Sequence, residues 1–234
     1  MLYYFNPVLI AAAVIPAAVL LIIIYKKDRL EPEPPRLLLL LVLLGIAATF
    51  LAIGTETLGT FILDHILPEG STLYNFLMYF IVVALSEEGF KYLFLKKCTW
   101  KNKAFNCQFD AVVYAVFVSL GFALWENVGY VLAYGLETAV IRALTAIPGH
   151  ASFGVFMGAW YGMAKRYQNY GMPAKSSTCR KLALLLPVLA HGFYDFIASS
   201  EHELSVWIFV VFIIVMFIAA FILVRKLAKT DSYI

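Results

Sequence analysis

Seven long apolar runs alternate with short polar segments along the chain. The runs lie at about 3–25, 37–60, 74–95, 111–134, 139–164, 182–199 and 204–224. Each is close to the roughly 20 residues that a membrane-spanning helix needs. The pattern predicts an all-α fold, a polytopic bundle of seven transmembrane helices that forms a single membrane domain over residues 1–234.

Basic residues are concentrated in alternate loops, which predicts the orientation of the chain in the membrane. They are Lys26, Lys27, Arg29 and Arg36 in the first loop, Lys96, Lys97, Lys101 and Lys103 in the third, Lys165, Arg166, Lys175, Arg180 and Lys181 in the fifth, and Arg225, Lys226 and Lys229 after the last run. The other loops share one basic residue, Arg142. Because lysine and arginine favour cytoplasmic loops, we predict that the N-terminus lies outside and the C-terminus in the cytoplasm. No basic stretch precedes the first run, which is therefore predicted to be a retained anchor.

The composition agrees with a membrane protein. The chain is 62% hydrophobic and 14% charged, whereas a soluble domain carries about 25% charged residues. The lipid bilayer is therefore the expected surrounding, and a formal net charge of +3 gives no reason to expect a nucleic-acid partner. Cys98, Cys107 and Cys179 lie in predicted cytoplasmic loops without CxxC spacing, so neither a disulfide nor a cysteine metal site is predicted.

Four of the apolar runs contain ionisable residues that a lipid-facing helix would exclude. These residues are Glu87, Glu88 and Lys91 in the third run, Glu126 in the fourth, His150 in the fifth, and His191 and Asp195 in the sixth. A charged side chain at the centre of a membrane helix costs about 2.5–3.5 kcal/mol. The cluster therefore predicts a buried polar site with a function, and acids with histidines suit hydrolytic chemistry.

The third run places a lysine within reach of two glutamates. Glu87 and Lys91 are four residues apart, and Glu88 and Lys91 are three apart, so one helical face carries all three. Either the lysine pairs with one glutamate while the other activates water, or the three residues form an ion pair that braces the bundle. The motif alone leaves both readings open.

The other three runs add one carboxylate, two histidines and an aspartate. Glu126 has no basic residue nearby in its own run, so it must be neutral, paired with another helix, or bound to a metal. Pro148 and Gly149 predict an interruption of the fifth helix at His150. His191 and Asp195 share a helical face, where the aspartate can orient the imidazole.

Two further features concern packing and loops. Gly154, Gly158 and Gly162 repeat at the four-residue spacing that lets helix backbones approach closely, which predicts tight packing of the fifth helix. Residues 61–73, with their proline, glycine and polar residues, are predicted to form a short external loop.

These motifs resemble the PrsW family of bacterial intramembrane proteases, which is distantly similar to the type II CAAX-prenyl endopeptidases. The resemblance covers about 26–200 and rests on four segments, Glu87-Glu88-Gly-Phe-Lys91, Phe122-Ala-Leu-Trp-Glu126-Asn127, Gly149-His150-Ala-Ser-Phe-Gly154 and His191-Gly-Phe-Tyr-Asp195, together with the Glu-Pro-Glu-Pro linker.

The resemblance implies a multi-pass endopeptidase of the bacterial cell membrane that cuts a membrane-anchored protein. The substrate implied by the family's best-known member is a single-pass anti-sigma factor, cut on the outer side at the first step of a stress response. Under this reading the catalytic residues are Glu87, Glu88, Lys91, Glu126, His150, His191 and Asp195.

Two mechanisms for peptide hydrolysis remain open at this point. In one, Glu126, His150 and His191 hold zinc or another divalent metal, because two histidines and a carboxylate can bind catalytic zinc and leave room for water. In the other, no metal takes part, and Glu87 or Glu88 activates water while Lys91 tunes the pair. No residues that would bind an organic cofactor are predicted.

Two functions of other classes also fit membrane-embedded acids and histidines. A proton-coupled transporter uses such residues as a proton relay, although an inverted repeat of its helices is not visible in the sequence. A non-catalytic membrane scaffold could use them to hold a partner helix.

Overall fold

A computed structural model describes residues 6–28 and 30–234. The predicted start of the first run at residues 3–5, and the first-loop residue Arg29, lie outside the described residues. The structure is 83% helical, and no strand occurs in the described part of the chain.

The helices follow one another with short connections. They are α1 (Pro7–Tyr25), α2 (Pro35–Ile66), α3 (Thr72–Leu77), a π-helical segment (Met78–Ala84), α4 (Leu85–Thr99), α5 (Asp110–Tyr134), α6 (Leu136–Leu144), α7 (Ala146–Asn169), α8 (Pro173–Ala198) and α9 (Glu203–Lys229). Because α3, the π-helical segment and α4 are continuous, they form one span, as do α6 and α7 together. Seven helical units are then long and apolar enough to cross a membrane, which confirms the predicted fold class.

Local sequence signals explain where several helices begin and end. The Asn6 side chain accepts a hydrogen bond from the Val8 amide at the start of α1, and Ser71 caps α3 in the same way through the Tyr74 amide. Gly135 has a φ of 87°, a conformation that glycine adopts easily, and it separates α5 from α6.

Several helices are longer than the apolar runs that predicted them, α2 and α8 among them. The predicted loop 61–73 is wrong at both ends, because α2 continues to Ile66 and α3 begins at Thr72, which leaves only 67–71 as the connection. The α8 helix begins at Pro173, so Lys175, Arg180 and Lys181 lie on a helix and not in a loop. A helix of 32 residues such as α2 is about 48 Å long, so its polar end extends beyond a bilayer core of about 30 Å.

The interruption of the fifth span lies earlier than the sequence predicts. The break is at Thr145, between α6 and α7, and His150 lies within the continuous α7 helix. Pro148 is the third residue of α7, where its missing N–H would have had no partner inside the helix. The proline therefore fits the first turn of α7 without distorting it.

The α5 helix is the centre of the bundle. Four fifths of its most apolar stretch is buried (78%), against 17% for α1 and 11% for α9. Glycines allow α2 to cross α5 at backbone contact: a Cβ on Gly45 would overlap the Val118 carbonyl, and one on Gly121 would overlap Val42. The position of α5 therefore sets the position of the helices around it.

The glycines of α7 pack against the other side of α5, which confirms their predicted packing role. A Cβ on Gly158 would lie 2.5 Å from the Val112 Cα atom, and one on Gly162 would lie 2.6 Å from the Gln108 carbonyl oxygen. These approaches fix the rotation of α7 about its axis, and so the direction in which His150 points.

Replacing Gly158 by alanine should destabilise the bundle. The added methyl group meets backbone atoms of α5, which cannot move aside, so we expect a loss of about 1–3 kcal/mol. The matched control is Gly54→Ala, because no atom lies within 4 Å of a Cβ at Gly54 and alanine favours helix by up to about 1 kcal/mol. Thermal unfolding in detergent compares the two variants, and an equal response of both would contradict the proposed contact.

Candidate active site

Four helices bring the seven predicted site residues together. α4 contributes Glu87, Glu88 and Lys91, α5 contributes Glu126, α7 contributes His150, and α8 contributes His191 and Asp195. Every one of these side chains contacts at least one other member through a hydrogen bond or an ion pair. The four motifs that are separate in sequence thus form one polar cluster inside the helix bundle.

The ammonium group of Lys91 lies at the centre of the cluster. Its Nζ atom donates hydrogen bonds to Glu87 Oε2 at 3.1 Å and to Glu88 Oε1 at 2.8 Å, and it lies 3.2 Å from His150 Nδ1. The third contact completes the three donors of an ammonium group. The Phe122 ring closes the remaining side, with its centroid 3.9 Å from Nζ, so Lys91 is fully enclosed.

The contact with Lys91 also fixes the tautomer of His150. A lysine ammonium can only donate, so Nδ1 accepts and Nε2 carries the proton. Nε2 then donates to Glu126 Oε2 at 3.0 Å. The Ser119 hydroxyl holds the backbone of the same residue by donating to the His150 carbonyl oxygen at 2.7 Å.

Glu126 is paired with a basic residue from another helix. The Arg142 Nη2 atom of α6 donates to Glu126 Oε2 at 2.7 Å, and its Nε donates to the Asn127 side chain at 2.9 Å. The Asn127 amide donates in turn to the Ala13 carbonyl of α1 at 2.8 Å. Of the three states that the sequence allowed for Glu126, the structure shows the pairing with another helix.

His191 lies between two carboxylates. Its Nδ1 atom is 3.0 Å from Glu88 Oε1, and its Nε2 atom is 3.2 Å from Asp195 Oδ2. Both ring nitrogens donate only when the ring carries two protons. The Phe153 ring stacks on the imidazole at 4.8 Å between centroids, so the plane of the ring is held as well as its edges.

The π-helical segment packs against α8 beside His191. A Cβ on Gly192 would lie 2.5 Å from the Phe80 ring, so glycine is what allows this close contact. A π-helical turn shifts the register of the residues that follow it, and such turns are frequent at functional sites. Here the shifted residues are those of the Glu87-Glu88-Lys91 motif.

A cavity of about 590 Å³ gives access to part of the cluster. Its lining includes Glu87, Glu126, His150, His191 and Asp195. A neighbouring space of about 380 Å³ shares Glu56, Glu87, Glu126 and Tyr130 with it. Glu88 and Lys91 lie behind this surface and are fully buried, so Glu87 is the member of the glutamate pair that faces open space.

Two further polar residues of the site were not predicted. Glu56 of α2 lines both cavities, and its Oε1 atom is buried without a hydrogen-bond partner among the described residues. Its position inside the second apolar run could have revealed it. In the sequence, Arg142 was noted only as the one basic residue of the loops predicted to be external. Its ion pair with Glu126 is seen only in the structure.

The fold and the site define a polytopic membrane protein with a hydrolase-like set of acids and histidines inside the bundle. Comparison with known families identifies it further, because residues 33–223 match the PrsW-protease family, described as PrsW family intramembrane metalloprotease. The chain belongs to this family, and it is a multi-pass bacterial membrane peptidase.

Individual relatives give the same picture. A Protease PrsW of Halalkalibacterium halodurans is 33% identical over 187 residues, which are 80% of this chain and 85% of that protein. A Protease PrsW of Bacillus subtilis is 36% identical over 158 residues, 68% of this chain and 69% of that protein. A Protease PrsW of Oceanobacillus iheyensis is 40% identical over 125 residues, and the chain spans 56% of its length. No solved structure matches the chain.

The family description implies a metal ion, and the residues present fit one. One ligand atom each from Glu87, Glu88 and His191 lies within 4.8 Å of the others, and two carboxylates with an imidazole are a donor set that zinc accepts. Glu88 Oε2 is buried and has no hydrogen-bond partner among the described residues, so it is available as a ligand. The set predicted from the sequence was different: Glu126 and His150 bond to each other, outside this group.

Replacing Lys91 by methionine should destabilise the protein strongly. The change leaves two buried carboxylates without their cation, and breaking a buried ion pair on one side costs about 3–5 kcal/mol. Lys97→Met is the matched control, because Lys97 lies on the same helix and is exposed. Thermal unfolding in detergent should show a large loss of stability only for Lys91→Met, and similar melting of both variants would show that the three contacts of the Lys91 ammonium group contribute little.

Proposed function

We propose that the chain hydrolyses a peptide bond of a membrane-anchored protein at the cavity between α2, α4, α5, α7 and α8. The observation that supports this most directly is the shared cavity, which joins three glutamates, two histidines and an aspartate inside a bundle of membrane-spanning helices. Polar surface of this kind within a membrane is tolerated where it lines a water-filled space, and water is the second substrate of hydrolysis.

We assign the role of general base to Glu87. Its carboxylate faces both cavities, whereas Glu88 is enclosed and its Oε1 atom already accepts from Lys91 and His191. A base must reach the proton that it removes, and Glu87 is the glutamate with that access. Glu88 then acts as a positioning residue that holds Lys91 and His191 in place.

The histidines supply the donors on the opposite side of the cavity. His150 Nε2 carries a proton and is oriented by Glu126, while His191 Nε2 faces Asp195 at the cavity wall. Each of these Nε2 protons is donated to a carboxylate in the structure, so it stabilises the oxyanion that develops on the scissile carbonyl once the substrate displaces that contact. Arg142 stabilises the ionised form of Glu126 and so keeps the His150 ring aligned.

A divalent ion, where bound, would be held by Glu87, by Glu88 and by His191 after loss of one of its two ring protons, and it would supply Lewis-acid activation of water or of the carbonyl. The neighbouring side chains that do not bind the ion would keep the functions described above. Lys91 limits the negative charge of the two glutamates, and Glu126 with His150 provides a separate proton donor and acceptor pair.

We propose that the substrate is a single-pass anti-sigma factor cut near the outer surface, the first cleavage of a regulated cascade. The identity of the substrate follows the resemblance to the family. The side of cleavage follows from the cavity, whose lining extends to Arg142, Thr145 and Ser199. Ser199 adjoins the connection after α8, and Arg142 and Thr145 lie in the half of the fifth span that follows the connection after α5. The charge pattern of the loops predicts both connections to be external.

A cleavage assay with a co-expressed single-pass protein tests the proposal. Glu87→Gln, Glu88→Gln, Glu126→Gln, His150→Ala and His191→Ala should each lose about 100-fold or more of the turnover, since general acid–base groups contribute about 10²–10⁴-fold. Glu137→Gln is the matched control, because Glu137 is exposed and outside the cluster. Normal turnover by all five variants at normal expression would exclude the protease proposal.

The same assay separates the two mechanisms when it is repeated on purified protein after chelation. Activity that disappears and returns with added zinc, with about one equivalent of metal in the purified protein, supports the metal mechanism. Full activity of chelated, metal-free protein supports water activation by Glu87 alone. Substrate-dependent proton flux in liposomes without cleavage would instead favour a transporter.

A further inference from the structure

A second group of buried carboxylates lies at the opposite end of the bundle from the cavity. Asp28 and Glu33 belong to the α1–α2 linker, Asp110 begins α5, and Asp231 follows α9. Asp28 is 8% exposed, Glu33 3% and Asp110 1%. The proposed catalytic mechanism uses none of these residues.

The hydrogen bonds of this region leave several carboxylate oxygens without donors. Tyr114 donates to Glu33 Oε2, and the amides of Asn106 and Cys107 donate to Asp110 Oδ2 at 3.0 and 2.6 Å. Both oxygens of Asp28 and the Oδ1 atom of Asp110 are buried and have no partner among the described residues. A buried polar group without a partner costs about 1–3 kcal/mol, and more when it is charged.

The carboxylates of Asp28, Glu33 and Asp110 lie close together. One oxygen each from Asp28, Glu33 and Asp110 lies within 4.8 Å of the other two. The Asp231 carboxylate adjoins the same place, since one of its oxygens lies within 4.8 Å of an Asp110 oxygen and of the Cys107 sulfur. No lysine or arginine of the described ranges 6–28 and 30–234 forms an ion pair with any of the four acids.

We propose that Asp28, Glu33 and Asp110 form a binding site for a hard divalent cation, distinct from the candidate active site. Carboxylate oxygens are the ligands that Mg²⁺, Ca²⁺ and Mn²⁺ prefer. A cation placed among them provides the partner that the Asp28 and Asp110 oxygens lack. It also offsets the repulsion of three acids in a buried place.

The protonation of these acids without a cation agrees with that reading. Burial, as the largest cause, and the nearby carboxylates of Asp231 and Glu31 together raise the pKa of Asp28 to about 6. Burial likewise raises the pKa of Glu33 to about 8. The ionised acids are thus disfavoured in the absence of a cation, and a bound cation favours them, so binding should release protons.

The bound cation would connect two separate parts of the chain. It would tie the α1–α2 linker to the start of α5, the helix that carries Glu126 at its other end. The segment after α9 already reaches this place, because Asp231 accepts hydrogen bonds from the Phe109 and Ser232 amides at 2.9 and 3.0 Å. The site would therefore stabilise the end of the bundle that lies away from the cavity.

Manganese binding to the full-length protein tests the proposal. Purified chain is treated with a chelator, dialysed, and titrated with Mn²⁺ while the free ion is measured by electron paramagnetic resonance. The wild type should bind one manganese that Asp28→Asn binds at least tenfold more weakly. Glu31→Gln is the matched control, because it makes the same change at an exposed acid of the same linker, and it should bind like the wild type.

A second comparison separates this site from the candidate active site. The manganese lost in Asp28→Asn should be retained in Glu88→Gln, and Mg²⁺ or Ca²⁺ should displace it and raise the melting temperature of the wild type but not of Asp28→Asn. Glu33→Gln, which keeps an acceptor for Tyr114, takes the place of Asp28→Asn if that variant does not fold.

Two outcomes of these measurements would contradict the cation site. If the wild type binds no more manganese than Asp28→Asn and Glu33→Gln, the acids are neutralised by protons, and the proposal is wrong. Melting temperatures of the variants at or above that of the wild type in saturating Mg²⁺ would lead to the same conclusion.

Discussion

The polar site depends on the contacts that the ammonium group of Lys91 makes inside the bundle. This group is fully enclosed in a helix bundle that spans a membrane, and its three donors meet Glu87, Glu88 and His150. Removing Lys91 would leave two buried carboxylates without their cation, and the energetic cost of that is large. Through these contacts the ammonium group ties α4, which carries both glutamates, to α7, which carries His150.

Packing of small residues makes that arrangement possible. Glycines let α2 and α7 approach the α5 backbone on two sides, and Gly192 lets α8 approach Phe80. Without these approaches the helices would be separated by side chains, and His150 and His191 could not reach α4 at hydrogen-bond distance. In a bilayer, where lipid is as apolar as leucine, close packing and interhelical hydrogen bonds are the main forces that hold helices together. The site and the bundle thus stabilise each other.

Much of this arrangement could be predicted from the sequence. The seven spans follow from apolar runs, and the charges within them marked the residues of α4, α5, α7 and α8 that meet in the structure. The glycine spacing of α7 predicted its packing correctly, because that spacing has a direct geometric meaning. The orientation of the chain, the single-domain organisation and the catalytic roles stay predictions.

Other features could not be predicted from the sequence, because they depend on contacts between distant residues or on helix ends that hydropathy does not show. Arg142 pairs with Glu126 across sixteen residues and two helices, and no local pattern signals that contact. The ends of α2 and α8 were misplaced because polar residues continue a helix beyond the bilayer, where hydropathy falls but backbone hydrogen bonding does not. The break at Thr145 was assigned to Pro148 because proline in a first turn resembles, in sequence, proline at an interruption. Glu56 was not predicted although its run is strongly apolar, because it is a single acid that belongs to no recognisable motif.

The most direct measurement of the central claim is the accessibility of the cavity to water. Single cysteines at Val83, which lines the cavity, and at Ile81, which is exposed on the outside of the same span, would be introduced into a chain whose Cys98, Cys107 and Cys179 have been replaced by alanine. A water-soluble, membrane-impermeant methanethiosulfonate reagent is then applied to the protein in membranes. A cavity open to water predicts labelling of Val83→Cys at least tenfold faster than of Ile81→Cys. Equal labelling rates of the two cysteines, or no labelling at Val83→Cys, would contradict a shared water-filled cavity and the hydrolytic chemistry inferred from it.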